Sequence, residues 1–138
     1  MSQVVTKILI AIVVSLMLVI ACADRAEARD PLEGLWQTEP DRKKLTSHIE
    51  IRSCAAKFCG TVKAAFDRQG REVRTRNIGR DLFWNLETLG GGRYGNGTVH
   101  VPLLNVMALA SMTLAGDRLA VRACKAGVCQ GQIWTRIR

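Results

Sequence analysis

Between Ser47 and Arg52 apolar and polar residues alternate, with Ile49 and Ile51 on one face of an extended chain and His48, Glu50 and Arg52 on the other. The same period returns in Arg118–Ala123, where Leu119, Val121 and Ala123 oppose Arg118 and Arg122. It returns again near the C-terminus, where Ile133, Thr135 and Ile137 oppose Trp134, Arg136 and Arg138. A period of two sends successive side chains to opposite faces of a strand, so these runs predict half-buried antiparallel strands. Turn chemistry divides them at Pro40-Asp41, Asp67-Arg68-Gln69-Gly70, Gly90-Gly91-Gly92, Asn96-Gly97 and Ala115-Gly116-Asp117. The strands expected are roughly 34–39, 45–54, 59–66, 82–88, 97–102, 105–114, 118–124 and 129–137. About eight strands with short connections predict an all-β fold, a small antiparallel up-and-down barrel, although a two-sheet sandwich gives a similar string. Val101–Leu114 is apolar on both faces and would also suit a buried helix. Pro102, the preceding Gly97–Val101 run and the lack of a helix cap favour a strand there.

The N-terminus follows a different pattern. Ile8–Ile20 is an apolar run of 13 residues behind a single lysine, Lys7. A membrane-spanning helix needs about 20, so the run reads as the core of an export signal. Ala26-Glu27-Ala28 offers a cut before Arg29, and Ala21-Cys22-Ala23 offers another. Val19-Ile20-Ala21-Cys22 resembles a lipobox, in which Cys22 would carry acyl chains and give the only attachment to a membrane. The organisation expected is an export signal over residues 1–28 and a single barrel domain over 29–138.

The chain has 138 residues and a net charge of +8. Lys7 and Arg25 cancel Asp24 and Glu27, so losing the signal leaves that charge unchanged. The remaining length has no room for a nucleotide-binding domain beside a substrate domain, and its core is small enough to gain from covalent staples. Setting Cys22 aside, Cys54, Cys59, Cys124 and Cys129 form two C-x4-C pairs, CAAKFC and CKAGVC. Zinc knuckles favour tighter C-x2-C spacing, and export favours oxidation. Of the three connectivities, the spacing selects Cys54–Cys59 and Cys124–Cys129, each bracketing a four-residue turn whose flanking strands bring the β-carbons within about 4.5–5.5 Å.

Signals for catalysis are missing. His48 and His100 sit in alternating runs with no adjacent nucleophile, and neither H-E-x-x-H nor G-x-S-x-G occurs. No C-x-x-C opens a helix, where a thiolate would be stabilised. The expectation is a protein that is not an enzyme, with no catalytic residue, metal or cofactor. Arg68, Arg71, Arg74, Arg76 and Arg80 crowd one long connection. They form either a solvated loop or a lid whose guanidinium groups grip a carboxylate or phosphate. Specific nucleic-acid recognition is not expected, because seven aromatic residues, with Trp36 and Trp134 committed elsewhere, leave no stacking platform.

Gly34-Leu35-Trp36 opens the domain and Trp134-Thr135-Arg136 nearly ends it. First and last strands are neighbours in a closed barrel, so the indole of one can lie beneath the guanidinium of the other. This arrangement resembles that of the lipocalins and the wider calycin group. Taken with IEIRSCAAKFCGTV, the IGR segment and LAVRACKAGVCQGQIWTR, the chain resembles a bacterial exported family catalogued as domain of unknown function 2147 (DUF2147). The resemblance implies a lipocalin-like barrel and an envelope location, and it supplies no reaction or catalytic residue. Members commonly carry a D-P-x-x-G-K-x-Y-like hairpin where this chain has the more apolar GNGTVHVPLLNVMALASM, so a function tied to that hairpin does not carry over.

The function expected is non-catalytic binding of a small apolar or amphipathic ligand inside the barrel. Ile49, Ile51, Val62, Trp84, Val106, Leu119 and Val121 would face inward, while Arg74, Arg76 and Arg80, with Trp84, would hold an anionic head group at the mouth. The alternative is a filled barrel whose charge binds an anionic glycan, lipid head groups or an acidic partner. Oligomeric state is not legible in the sequence.

Overall fold

The computed structural model describes residues 3–7, a short helical turn, and 27–138. The apolar run Ile8–Ile20, Cys22 and the cut after Ala23 lie outside the described residues. Eight strands follow: β1 (Gly34–Gln37), β2 (Thr46–Cys54), β3 (Lys57–Phe66), β4 (Asp81–Gly90), β5 (Arg93–Val101), β6 (Val106–Ala115), β7 (Arg118–Lys125) and β8 (Val128–Arg136). Each pairs antiparallel with its neighbours in sequence, and β8 returns to β1 through Trp36↔Arg136 and Gln37↔Thr135 to close a barrel. The fold is the eight-stranded up-and-down barrel that the alternation predicts, and Val101–Leu114 supplies a strand rather than a helix.

Boundaries differ from the sequence reading at three places. Asn96-Gly97 is not a turn. The turn expected at Gly90-Gly91-Gly92 does join β4 to β5, while Asn85 and Asn96 each take a left-handed backbone (φ 56°) inside those strands. Short polar Asn tolerates this conformation better than most residues. At this level the alternation changes phase on both strands, so Phe83 and Leu86, three residues apart, are both buried. The cysteine hairpins are also tighter than expected, with Cys54 pairing with Lys57 and Lys125 with Val128 across two-residue turns. Ala55 (φ 57°) and Ala126 (φ 50°) occupy left-handed positions there, unfavourable for alanine, and a disulfide braces each tip. Cys124 faces Cys129 directly, whereas Cys54–Cys59 runs diagonally.

The third difference concerns the basic connection, residues 67–80, which is neither a free loop nor a lid over the mouth. It runs along the upper half of β3, where the amide of Val73 donates to the carbonyl of Ala65 (2.8 Å), that of Gly79 to Val62 (2.7 Å), and that of Val62 to Arg80 (3.0 Å). β3 and β4 pair only through Phe58, Gly60 and Thr61, so this segment fills the gap between them. Ile78 packs against the core. The edge of β3 would otherwise leave backbone donors and acceptors unpaired.

One cluster fills the interior, including Trp36, Ile49, Ile51, Phe58, Val62, Phe83, Leu86, Tyr94, Met112, Leu119, Val121 and Trp134. Topology gives the barrel two unlike ends. The chain enters β1 and leaves β8 at one of them, and the large aromatic and branched side chains gather toward it. The β1–β2, β3–β4, β5–β6 and β7–β8 connections meet at the other. There the inward positions, set by register, are smaller: Ser47, Ala65, Ala108 and Ala123. Val106, on the same face of β6 as Ala108, Ala110 and Met112, is half-buried at this rim and lies outside the core cluster.

Gly60 illustrates how closely the interior is filled. A β-carbon there would stand 2.2 Å from Cε1 of Phe83. Gly60→Ala is expected to cost about 1–3 kcal/mol through overpacking, read as a lower urea midpoint with an unchanged denaturant slope.

Candidate ligand site at the open end of the barrel

The closed end is built first by the chain ahead of β1. Asp30 accepts a bond from the amide of Leu32 (2.8 Å) and from the hydroxyl of Tyr94 on β5 (2.7 Å). This folds Asp30–Glu33 into a turn that seats Leu32, wholly buried, under the barrel. Burial and the bond to Asp30 push the Tyr94 phenol far above its ordinary value, so it stays a donor. Trp36 Nε1 donates to the Leu32 carbonyl (2.9 Å). Arg136 lies 4.2 Å from the centre of the Trp36 ring and donates to the carbonyls of Glu33 (3.0 Å) and Pro31. Its Nε also faces Asp117 at 3.6 Å. A β-carbon on Gly34 (φ 137°) would sit 2.8 Å from the guanidinium, so this position accommodates only glycine. Trp134 is buried, tilted against Phe83, and donates to Gln132 (2.9 Å). Among the described residues, Leu32, Trp36 and Trp134 fill this end. Arg136→Met is expected to strand the two carbonyls and cost about 2–3 kcal/mol in urea unfolding, with Arg136→Lys restoring less than half because an ammonium lacks the planar fork.

Two cavities lie at the other end. A cleft of about 300 Å³ opens on the outer side of the rim, lined by Leu82, Trp84, His100 and Met107 together with Asn77, Arg80 and Asp81, whose carboxylate is held by Arg52 and Thr61. Trp84 therefore faces outward, paired with Thr98, and not into the barrel. The phase change at Asn85 is the physical reason, since strict alternation with Leu86 would have turned it inward. Ile49, Ile51, Val62, Leu119 and Val121 are buried in the core. Arg80 joins Trp84 in the cleft, whereas Arg74 and Arg76 are exposed on the same segment and do not line it. Asn77, His100, Asn105 and Met107 escaped the sequence reading. The Gly97–Val101 alternation, which puts Thr98 and His100 on one face, was the available signal. His100 Nε2 lies 3.1 Å from Asn105 Oδ1 across the β5–β6 hairpin.

A broader groove of about 600 Å³ lies between the β1–β2 and β3–β4 connections, lined by Lys44, Thr46, His48, Phe66 and Arg68 among others. The His48 ring rests 4.4 Å from Phe66. Burial lowers the His48 pKa below its usual 6.5, and the Glu72 carboxylate opposes the shift. All four barrel cysteines are in disulfides, Cys54–Cys59 and Cys124–Cys129, which leaves no thiolate for zinc.

Residues 34–136 match the family described as an uncharacterized protein conserved in bacteria, DUF2147. The chain belongs to this family. Among solved structures, protein HP1028 from the human pathogen Helicobacter pylori, which belongs to the lipocalin family, is similar with a TM-score of 0.63 at 16% identity. The match covers 78% of this chain and 83% of that one. At such identity it shows the fold, so this DUF2147 protein has a lipocalin-like barrel. No curated protein matches the sequence. Two disulfides in so small a domain point to a compartment outside the cytoplasm.

The lowered pKa of His48 has a sign for stability. The folded chain favours the neutral ring, so the unfolded chain takes up its proton first as pH falls. This contribution is complete above pH 6.5 and is lost on acidification below it. Urea midpoints measured at about pH 7.5 and pH 5 should fall more for the parent protein than for His48→Gln.

Proposed function

We propose that this protein is an exported, non-catalytic envelope protein that binds a small apolar or amphipathic ligand at the rim cleft. The supporting observation is the meeting of Arg80 and Trp84 in one concave site with Leu82 and Met107 as apolar walls. Ligand sites are concave and mostly apolar, with a few polar groups to fix orientation, and about 300 Å³ is the small end of their range. A short alkyl chain would lie against Trp84, Leu82 and Met107. A carboxylate or phosphate would take the fork of Arg80, with Asn77 and His100 as further hydrogen-bonding groups. The lipocalin-like fold agrees with this reading. In it, residues 1–28 direct export and Cys22 is either discarded or lipidated.

A second reading has its own support. The interior is packed from the closed end upward, and a ligand inside the barrel would have to displace side chains such as Phe83 and Trp134. If the cleft is empty in use, the charge of the open end is left to bind an anionic glycan, a head group or an acidic partner.

Native mass spectrometry of the protein purified from the bacterial envelope, followed by titration with dodecanoate, separates the two. A retained mass of a few hundred daltons, or saturable quenching of Trp84, supports the ligand reading. Arg80→Gln should then weaken dodecanoate at least about tenfold, as expected for losing a charge-assisted pair, and Trp84→Ala should do likewise. An empty protein that no alkyl carboxylate saturates would overturn it in favour of the charged surface.

A further inference from the structure

The barrel's exposed apolar side chains are unevenly placed. Leu103 (43% exposed) and Leu104 (51%) form the tip of the β5–β6 hairpin, Met107 (51%) and Leu109 (57%) continue down the outer face of β6, and Val128 (69%) stands on the next hairpin but one strand away. Leu89 is the one large apolar side chain so exposed toward the opposite end, among the described residues 27–138. Isolated surface leucines need no explanation, but several gathered at one pole mark an interaction face.

The same pole carries more unpaired positive charge than the other, where Arg29, Arg93 and Arg118 lie. Arg42, Lys43 and Lys44 stand on the β1–β2 connection and Arg68, Arg74 and Arg76 on the β3–β4 connection, and none of these six is in an ion pair among the described residues. The acids at this end are largely occupied. Asp67 is held by Arg71, Asp81 by Arg52 and Thr61, and Asp41 caps the amides of Lys43 and Leu45. Glu39, Asp41 and Glu72, none of them in an ion pair among the described residues, remain against the six cations.

We propose that the open end docks on an anionic lipid bilayer, with Leu103 and Leu104 entering the acyl boundary and the rim arginines and lysines meeting lipid phosphates. Three features favour a bilayer as the occupant. The apolar group is carried on a hairpin tip rather than in a groove, which suits a soft medium that closes around it. Basic residues on neighbouring connections complement the negative surface potential of anionic lipid. A second copy of this end would bring like charges together, which disfavours self-contact. Docking depends on the hairpin and loop cations and not on an occupied rim cleft, so the ligand reading can fail without it.

The test uses tryptophan as a depth gauge. Leu104→Trp and Leu89→Trp are each introduced into the protein purified from the bacterial envelope, and emission is compared with the parent. Vesicles are phosphatidylglycerol or phosphatidylcholine with brominated acyl chains, which quench an indole that enters the hydrocarbon. The added emission of Leu104→Trp should be quenched and blue-shifted in phosphatidylglycerol, and that of Leu89→Trp should not. Replacing Arg68, Arg74 and Arg76 together by glutamine should raise the lipid concentration for half-binding at least about tenfold. Leu103→Ser with Leu104→Ser should abolish vesicle binding while leaving dodecanoate titration at Arg80 unchanged. No quenching at the hairpin, equal quenching at Leu89→Trp, or equal binding to phosphatidylcholine would overturn the proposal. It would also fall if the serine pair altered the oligomeric mass instead of vesicle binding, because the face would then be a contact between copies.

Discussion

The barrel closes because the guanidinium of Arg136, on the last strand, lies on the indole of Trp36, on the first, and binds the carbonyls of the turn between Pro31 and Glu33. The β1–β8 seam itself is only two residue pairs long, too short to hold a sheet edge alone. Arg136 adds what the seam lacks. It satisfies carbonyls that would otherwise be unpaired, and the ring beneath it gives the cation a face to rest on. Asp30 does the matching work from the other side by fixing the turn and holding Tyr94, so β5 is tied to the same plug.

This closure determines where chemistry can occur. Sealing one end with Leu32, Trp36 and Trp134 commits the largest side chains to the floor, and the rest of the core packs upward from it. Concave surface is left to the other pole, where the connecting loops and smaller inward residues lie. The long β3–β4 connection is also recruited there, bonded along β3 as a piece of wall, which holds Arg80 beside Trp84. A flexible lid would have to be ordered on binding, whereas a wall segment already fixes its arginines at lower entropic cost.

Much of this architecture was legible because strands half-buried on one face must alternate, and Ile49/Ile51 or Leu119/Val121 have no other economical arrangement. The barrel count and the short connections followed from the same pattern. Trp84 was misplaced because two asparagines, Asn85 and Asn96, reverse the alternation together, and a period-two reading has no term for a paired left-handed step. Asn96-Gly97 looked like a turn because Asn tolerates positive φ, and Asn96 uses that tolerance inside β5, while Gly97 makes room for Leu86. The arginines of the basic connection are exposed, as a solvated loop requires, but its anchoring to β3 went unread. What anchors it is backbone hydrogen bonding to β3, which leaves little trace in side-chain identity.

The two poles also set the terms on which this protein can meet a membrane. The chain enters at the closed end, so acyl chains on Cys22 would draw that end toward the bilayer and turn the rim away. At about 3.3–3.6 Å per residue, the stretch from Cys22 to Asp30 reaches roughly 28 Å when fully extended. A strand of nine residues tilted by about 40° stands roughly 23 Å tall. A lipid anchor could therefore coexist with a docked rim only if the tether ran nearly straight along the barrel wall. An extended tether of that kind gives up most of its conformational freedom. Cutting before Arg29 removes the conflict and leaves the rim free to choose its surface by charge. If the signal is cut and the rim docks as proposed, the two would be coupled through the geometry of a single barrel, although they lie at opposite ends of it.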